Sequence, residues 1–408
     1  MKFVVLIIFV VAGLNLKAQI LGCTDPLATN FNANANQNDG TCLYPNTNLN
    51  PIVSWDLPST AVETSGLLYW EGSLWTHNDN TDINLYSIDT LSNPATLTGF
   101  NLGQLSNYDW EDIDQDSLYI YLGDVGNNGN GNRIDLKFYR IAKNSVITGN
   151  PEVDTILFSY ATQTDFSGTG ANNTDYDCEA FIVKGESIYL FTKEWVANQS
   201  RLFVIPKSPG TYTANFISQF NVQGLITGAV YHQNPELVTL CGYTETLQPF
   251  AYLLYDFDGN DFFSGNKRRL GINLLFHQIE GITTTDGLSF FMSNEKFQQS
   301  ILTTDQKLHR FDLAPYLANY IDGLGLNEKK INDILIYPNP AEDEVVINCP
   351  EAYVGKTFSI FNSKGELIES STITSSRTSL RISHWRTDLT YFLTIENSYP
   401  ITLPFIKE

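Results

Sequence analysis

Glu111-Asp112-Ile113, followed by Leu118-Tyr119-Ile120-Tyr121-Leu122-Gly123-Asp124, is one of five copies of a single phrase. Each copy sets a short polar residue or Glu before small or apolar residues, then a Leu- or Ile-led strand that closes on polar groups. The other copies open with Ser65-Gly66-Leu67, Glu179-Ala180-Phe181, Thr227-Gly228-Ala229 and Glu280-Gly281-Ile282, and their second strands lie at 74–79, 188–194, 237–242 and 288–295. A third strand follows in every unit, at 84–89, 136–141, 201–205, 250–257 and 308–313. Outer fourth strands follow four of the five, at 96–102, 155–160, 216–222 and 268–274; the fifth unit has none, and an unattached strand at 51–57 precedes the first unit. A period of about forty to seventy residues with four strands per unit describes a β-propeller. The strand at 51–57 is expected to complete the last blade, which leaves the ring without an exposed edge. The count is five blades. A sixth would have to fit between 126 and 177, where the Gly/Asn-rich 126–132 and the polar 163–175 read as loops.

Length and composition fit this reading. The 408 residues are 13% aromatic and only 17% charged, which suits a β-rich buried core rather than a disordered chain. The formal charge is −21 and the basic residues are scattered, which excludes nucleic acid as a partner, since that requires a clustered basic footprint. Residues 1–18 read as a secretory signal peptide, with Lys2, an apolar run at 3–14 and a small residue at Ala18. That run is too short for a transmembrane helix, which needs about 20 apolar residues, and no later stretch reaches that length. A rival reading takes Ile20-Leu21-Gly22-Cys23 as a lipoprotein box acylated at Cys23. It is disfavoured by the polar Asn15 and Lys17, and because Cys23 pairs naturally with Cys42 in an oxidising compartment.

The chain therefore divides into a signal peptide (1–18), a small module (19–47), the propeller (48–322), a linker (323–332) and a C-terminal β-sandwich (333–408). The module is poor in apolar residues, so a Cys23–Cys42 bridge is its obvious staple. Its Asn32, Asn34, Asn36, Asn38 and Asp39-Gly40 have the spacing of a Ca²⁺ loop, but a single carboxylate there favours a metal-free, disulfide-closed Asn-rich loop. Cys178 and Cys241 read as small buried residues on different blades, and Cys349 as a leftover thiol.

Two terminal segments resemble known families. Gly22-Cys23-Thr24-Asp25-Pro26 through Asp39-Gly40-Thr41-Cys42 is similar to a short repeat of secreted bacterial surface proteins. Tyr337-Pro338-Asn339-Pro340, Phe361-Asn362-Ser363-Lys364-Gly365-Glu366, Tyr391-Phe392-Leu393-Thr394-Ile395 and Phe405-Ile406-Lys407 resemble the type A C-terminal sorting domain of the type IX secretion system. That resemblance implies passage through the periplasm and across the outer membrane, recognition of 333–408 by the secretion machinery, removal of this domain, and release or attachment at the cell surface.

In a propeller the innermost strands line a central channel, so equivalent positions converge. Ser65, Glu111, Glu179, Thr227 and Glu280 are the equivalent positions here. Three carboxylates in one pore repel unless a cation compensates, and a hard, oxygen-liganded ion such as Ca²⁺ fits a set without clustered Cys or His. All five are therefore expected to hold an axial Ca²⁺; the alternative is that they bond backbone amides and channel water. A second ring closes the second strands: His77-Asn78-Asp79, Asp124, Lys193-Glu194, Tyr243 and Asn294-Glu295. Trp75, Trp110, Trp195, Tyr108 and Tyr176 flank it, as interblade core or as a stacking platform. Within these rings Glu111 or Asp124 could act as a base, Arg133 or Lys193 could grip an anionic group, and His77 or His277 could move a proton.

No Gly-x-Ser-x-Gly elbow, phosphate loop or His-Glu-x-x-His motif is present. Residues 64–88 resemble the first blade of five-bladed Ca²⁺-dependent nucleotidases, whose ion would map onto Ser65, Glu111 and Glu280. Asp109-Trp110-Glu111-Asp112-Ile113 with 121–128 resembles secreted bacterial propellers similar to phytase-like esterases. Two functions stay open: a binding module for extracellular glycan or protein, and a Ca²⁺-dependent hydrolase of phosphoesters or related esters. They differ in whether a cationic group beside the ion is free to meet substrate.

Overall fold

The computed structural model describes residues 19–103, 105–300, 302–323, 334–349, 353–387, 389–395 and 401–408. The signal peptide expected at 1–18 and residues 324–332 of the expected linker lie outside the described residues. Among the described residues, no helix is long and apolar enough to cross a membrane. Two compact units divide the chain, Met1–Leu317 and Ala318–Glu408.

The first unit is a five-bladed propeller. Blade 1 runs Thr64–Trp70, Ser73–Asn78, Asn84–Asp89 and Thr96–Asn101 from axis to rim. Blade 2 runs Trp110–Gln115, Tyr119–Asp124, Lys137–Ala142 and Val153–Tyr160. Blade 3 runs Asp177–Lys184, Ser187–Lys193, Ser200–Pro206 and Gly210–Phe220. Blade 4 runs Leu225–His232, Leu237–Tyr243, Pro249–Tyr255 and Asn266–Ile272. Blade 5 takes Ile279–Thr284, Ser289–Asn294 and Lys307–Asp312 from its own stretch and borrows Val53–Asp56 as its rim strand, paired antiparallel from Lys307↔Asp56 to Arg310↔Val53. The N-terminal strand thus closes the ring, and 126–177 holds the two outer strands of blade 2 between loops, with no sixth blade.

Two features go beyond the sequence reading. The rim strand of blade 3 starts at Gly210, earlier than expected, and pairs in parallel with that of blade 2 from Ile156↔Gly210 to Tyr160↔Ala214. This joins the two blades edge to edge and hides two otherwise unpaired strand edges. The two-residue strand Asn48–Leu49 adds in parallel to the rim of blade 4. Between blades, aromatic and branched side chains interlock: Phe138, Phe158 and Phe181 between blades 2 and 3, and Phe191, Phe250 and Phe262 between blades 3 and 4. Phe138 and Phe181 meet edge to face at 4.7 Å. Each such fully buried side chain contributes about 1.5–3 kcal/mol, so the blade interfaces hold the ring.

Cys23 and Cys42 are disulfide-bonded across 19 residues. Asn32, Asn36 and Asn38 turn their side-chain oxygens onto the backbone amides of Asn34, Ile20 and Gly40, and Asp39 takes that of Thr41. The Asn32, Asn38 and Asp39 oxygens build Asx turns, and that of Asn36 ties down the start of the module. The module docks on blade 4, where Tyr255 donates to Asp25 at 2.5 Å and Thr24 and Asn38 reach Asp256.

The second unit is a small sandwich. Leu335–Tyr337, Glu344–Asn348 and Arg377–Arg381 form one sheet; Leu367–Thr372, Thr357–Asn362, Leu389–Ile395 and Ile401–Lys407 form the other. Val345, Ile347, Phe358, Ile360, Trp385 and Phe405 fill its core. Cys178, Cys241 and Cys349 are free and buried.

Candidate functional site

The five equivalent residues are equivalent for a structural reason. In every blade the pairing between the first and second strands slips at this position, giving a β-bulge: Thr64↔Asn78 is followed by Leu67↔Thr76, Trp110↔Asp124 by Ile113↔Leu122, Cys178↔Thr192 by Ala180↔Phe191, Ile226↔Gly242 by Gly228↔Cys241, and Ile279↔Asn294 by Gly281↔Ser293. Ser65, Glu111, Glu179, Thr227 and Glu280 sit in the bulges, where the additional residue re-aims its side chain. All five are buried. The small residue after the bulge lets inner strands approach: a Cβ on Gly281 would collide with the carbonyl oxygen of Ser65 in the next blade.

Blade 2 breaks the pattern by carrying Asp112 where other blades have Gly or Ala. The inner edge of a blade leaves backbone N–H groups pointing at the channel, and they must find acceptors. Asp112 supplies them, accepting from the amides of Ile113 (2.8 Å), Phe181 (3.3 Å) and Ala229 (3.1 Å), and so ties blade 2 to blades 3 and 4. Burial raises its pKa and these three bonds oppose the rise. Asp114 does the same one level away, accepting from Val183 at 2.6 Å and Gln115 at 2.8 Å, with burial lifting its pKa to about 7. A cavity of about 790 Å³, lined by Leu67, Ile113, Asp114, Val183 and Ala229, occupies the Asp114 end of the axis.

The other end is an acidic mouth. Glu111, Asp177 and Glu179 bring carboxylate oxygens within 4.8 Å of one another. Glu179 forms an ion pair with the buried Lys193, whose ammonium also donates to the Tyr243 hydroxyl at 3.1 Å and lies 4.6 Å from the Trp195 ring. Asp177 accepts from the amides of Asn127 (2.6 Å) and Cys178 (3.2 Å) and from the Trp195 indole (2.8 Å). The Glu111 and Glu280 carboxylates accept no hydrogen bond and make no ion pair with any described residue. Gly126 lies flush against both Glu111 and Asp109, leaving no room for a Cβ. A second trio, Glu63, Asp79 and Glu295, gathers within the same 4.8 Å and is half-buried.

Among the described residues eight carboxylates thus face one ammonium, and the titration of six of them reflects it. Burial, then Glu179, Asp109 and Asp177, holds Glu111 well above the usual carboxylate range. Burial also lifts Asp109 to about 6, Glu280 to about 7, Asp79 to about 8 and Glu295 to about 10, with neighbouring carboxylates adding to each. Lys193 moves the opposite way: burial would lower it, yet Glu179 and the surrounding acids hold it well above its ordinary value.

The structure sorts the sequence candidates. Ser65 and Thr227 reach the ring but donate to the neighbouring blade, Ser65 to the Glu111 carbonyl and Thr227 to that of Ile279 at 2.5 Å. Asp124 and Arg133 neutralise each other at 2.8 Å, with Lys137 on the second Asp124 oxygen at 3.0 Å. Both proposed anion grips, Arg133 and Lys193, are therefore already engaged. His77 is fully buried edge-on to Trp110, and burial lowers its pKa to about 4. His277 turns its Nδ1 to the Leu275 carbonyl at 2.8 Å and packs edge-on to His309. Trp75 and Trp110 are core, whereas Tyr108 is 69% exposed under the Arg133 guanidinium and Trp195 is half-buried. Sequence reasoning missed Glu63, Asp109 and Asp177. Each stands two residues before a bulge residue, and the period-two alternation of a strand places such residues towards the same side.

Residues 335–403 match the family model described as the secretion system C-terminal sorting domain. The chain therefore carries a type IX sorting domain and is exported to the cell surface or the medium. No curated protein matches the chain in sequence. Among solved structures it is similar to PorZ of Porphyromonas gingivalis, a surface component of the type IX secretion system, at 12% identity and TM-score 0.30, covering 85% of this chain and 45% of that one. An exo-β-1,3-galactanase of Phanerochaete chrysosporium is similar at 10% identity and TM-score 0.40, covering 92% and 93%. A Dyadobacter fermentans protein of unknown function is similar at 8% identity and TM-score 0.36, covering 64% and 98%. The chain spans less than half the length of PorZ, and likenesses this distant carry no argument about activity.

Proposed function

We propose that the propeller is a Ca²⁺-loaded binding module for an extracellular glycan or protein, presented through its acidic mouth. The observation that supports it is the imbalance of charge: among the described residues Glu111, Asp177 and Glu179 face Lys193 alone, which leaves two negative charges uncovered. A divalent cation matches that deficit. Calcium binds oxygen at 2.3–2.6 Å, so ligand oxygens around one ion stand at most about 5 Å apart, and the 4.8 Å spread of this trio is compatible with a shared ion. Glu280 stands beside the trio; Ser65 and Thr227 keep lone pairs but spend their protons between blades. Waters or the hydroxyl and carbonyl oxygens of a ligand would complete such a coordination shell. The exposed Tyr108 and half-buried Trp195 offer a stacking surface at the rim for a sugar or an apolar side chain.

The hydrolase reading asks for a cation free to stabilise a phosphoester. Arg133 is held by Asp124 and Lys193 by Glu179, which favours binding over turnover. The test is to screen the chelator-stripped and Ca²⁺-reloaded protein against glycan and surface-protein arrays and against phosphoesters. Calcium-dependent retention without turnover is expected, and chelator-sensitive phosphoester hydrolysis would overturn the reading.

A further inference from the structure

The seam of the ring offers a site of its own. The chain leaves the borrowed rim strand Val53–Asp56 of blade 5, passes Glu63 and enters blade 1 at Thr64. Asp79 follows the second strand of blade 1, and Glu295 follows that of blade 5. Backbone bonds fix this framework: the Asp79 amide donates to the Glu63 carbonyl at 3.1 Å, the Lys296 amide to the Val62 carbonyl at 2.9 Å, and the Glu295 amide to the Gln278 carbonyl at 3.3 Å. Three carboxylates from both sides of the seam are thereby held within 4.8 Å.

We propose that Glu63, Asp79 and Glu295 bind a second divalent cation, Ca²⁺ by its preference for carboxylate oxygens, which clasps blade 1 to blade 5 where the ring closes. Two observations carry this. No described Lys or Arg forms an ion pair with any of the three, in contrast to the Glu111 trio with Lys193; Lys296, next in sequence, pairs instead with Asp305 at 3.6 Å. Glu280, 7% exposed and without a hydrogen-bonding partner among the described residues, stands two residues along the chain from Gln278, whose carbonyl receives the Glu295 amide. A buried carboxylate left unpaired next to three clustered carboxylates is costly unless a cation compensates. Bidentate contacts from three carboxylates supply up to six oxygens, the lower bound of Ca²⁺ coordination.

The site uses residues distinct from the Glu111 trio, so the two assignments can fail separately. Calcium titration of the chelator-stripped mature chain by calorimetry is expected to give two ions per chain. Glu295→Gln and Asp79→Asn are each expected to leave one ion, and Glu111→Gln to leave the other. Hydrogen exchange provides a second readout: Ca²⁺ should slow exchange at 53–64 and 295–306 at least tenfold in the native chain and in Glu111→Gln, but not in Glu295→Gln. One ion that persists in both Glu295→Gln and Asp79→Asn would overturn the seam site and leave the axial one. One ion lost in Glu295→Gln but kept in Glu111→Gln would support the seam and reject the axial site. No bound ion would overturn both.

Discussion

Glu111 and Asp112 are neighbours in sequence, both carboxylates and both buried, yet they have opposite fates. Asp112 turns along the channel and is satisfied by three backbone amides from blades 2, 3 and 4. Glu111 sits in the bulge, faces the mouth and accepts no hydrogen bond from any described residue. The middle of the channel is therefore complete in its hydrogen bonds, while the mouth depends on protons or cations from solvent. Buried carboxyl oxygens bonded by the fold tie its blades together; unbonded ones are kept at a cost that a ligand can relieve.

Breaking the self-sufficient half should have the largest effect. Asp112→Ala strands three buried N–H groups at about 1–3 kcal/mol each, so unfolding in urea should show a loss of about 3 kcal/mol or more, with m unchanged. A loss below 1 kcal/mol would mean that the amides find other acceptors. Arg133→Ala leaves Asp124 with Lys137 as its remaining ion-pair partner and should cost about 1.5–3 kcal/mol, measured in the same way. Its effect should be indifferent to Ca²⁺, because this pair belongs to blade 2 rather than to the uncovered charge.

The mouth should respond in the opposite direction. Glu111→Gln removes an unmatched charge and should raise the metal-free stability by roughly 1 kcal/mol, while removing the axial ion's share of the stabilisation gained from Ca²⁺. A fall in metal-free stability would show that the Glu111 carboxylate has a partner. pH sharpens the contrast further. Carboxylates in the unfolded chain titrate near 4, whereas Asp109, Glu280 and Asp79 are lifted to about 6, 7 and 8. Between these limits the folded state binds more protons, so stability falls as pH rises and is fully present only below the unfolded values. The metal-free protein should therefore lose a few degrees of Tm between pH 5 and pH 8, and saturating Ca²⁺ should flatten that slope.

The architecture was legible because it repeats. Five phrases of small and apolar residues, a missing rim strand in the last unit and a spare strand at the start gave blade number and closure. The C-terminal sandwich was legible from the Tyr337-Pro338-Asn339-Pro340 and Phe361 to Glu366 segments. The chemistry of the site was harder to see, because pairing across blades is set in space. Nothing near Asp124 in one dimension shows that Arg133 folds back onto it, nor that Lys193 spends its charge on Glu179. Asp112 was visible as the odd residue in a column of Gly and Ala, but its role needed the coordinates of Phe181 and Ala229. Glu63, Asp109 and Asp177 are not marked by the repeat: the bulge holds the repeated position, and the residue two places earlier is carried to the mouth with it.

The most direct test is the thermal stability of the chelator-stripped chain at pH 8, measured before and after adding Ca²⁺, with Mg²⁺ as the comparison. A mouth short of positive charge predicts a clear rise in Tm with Ca²⁺ that shrinks in Glu111→Gln to the part contributed by the seam ion. An unchanged Tm, together with no heat of binding, would show that the carboxylates share protons among themselves and would contradict the account.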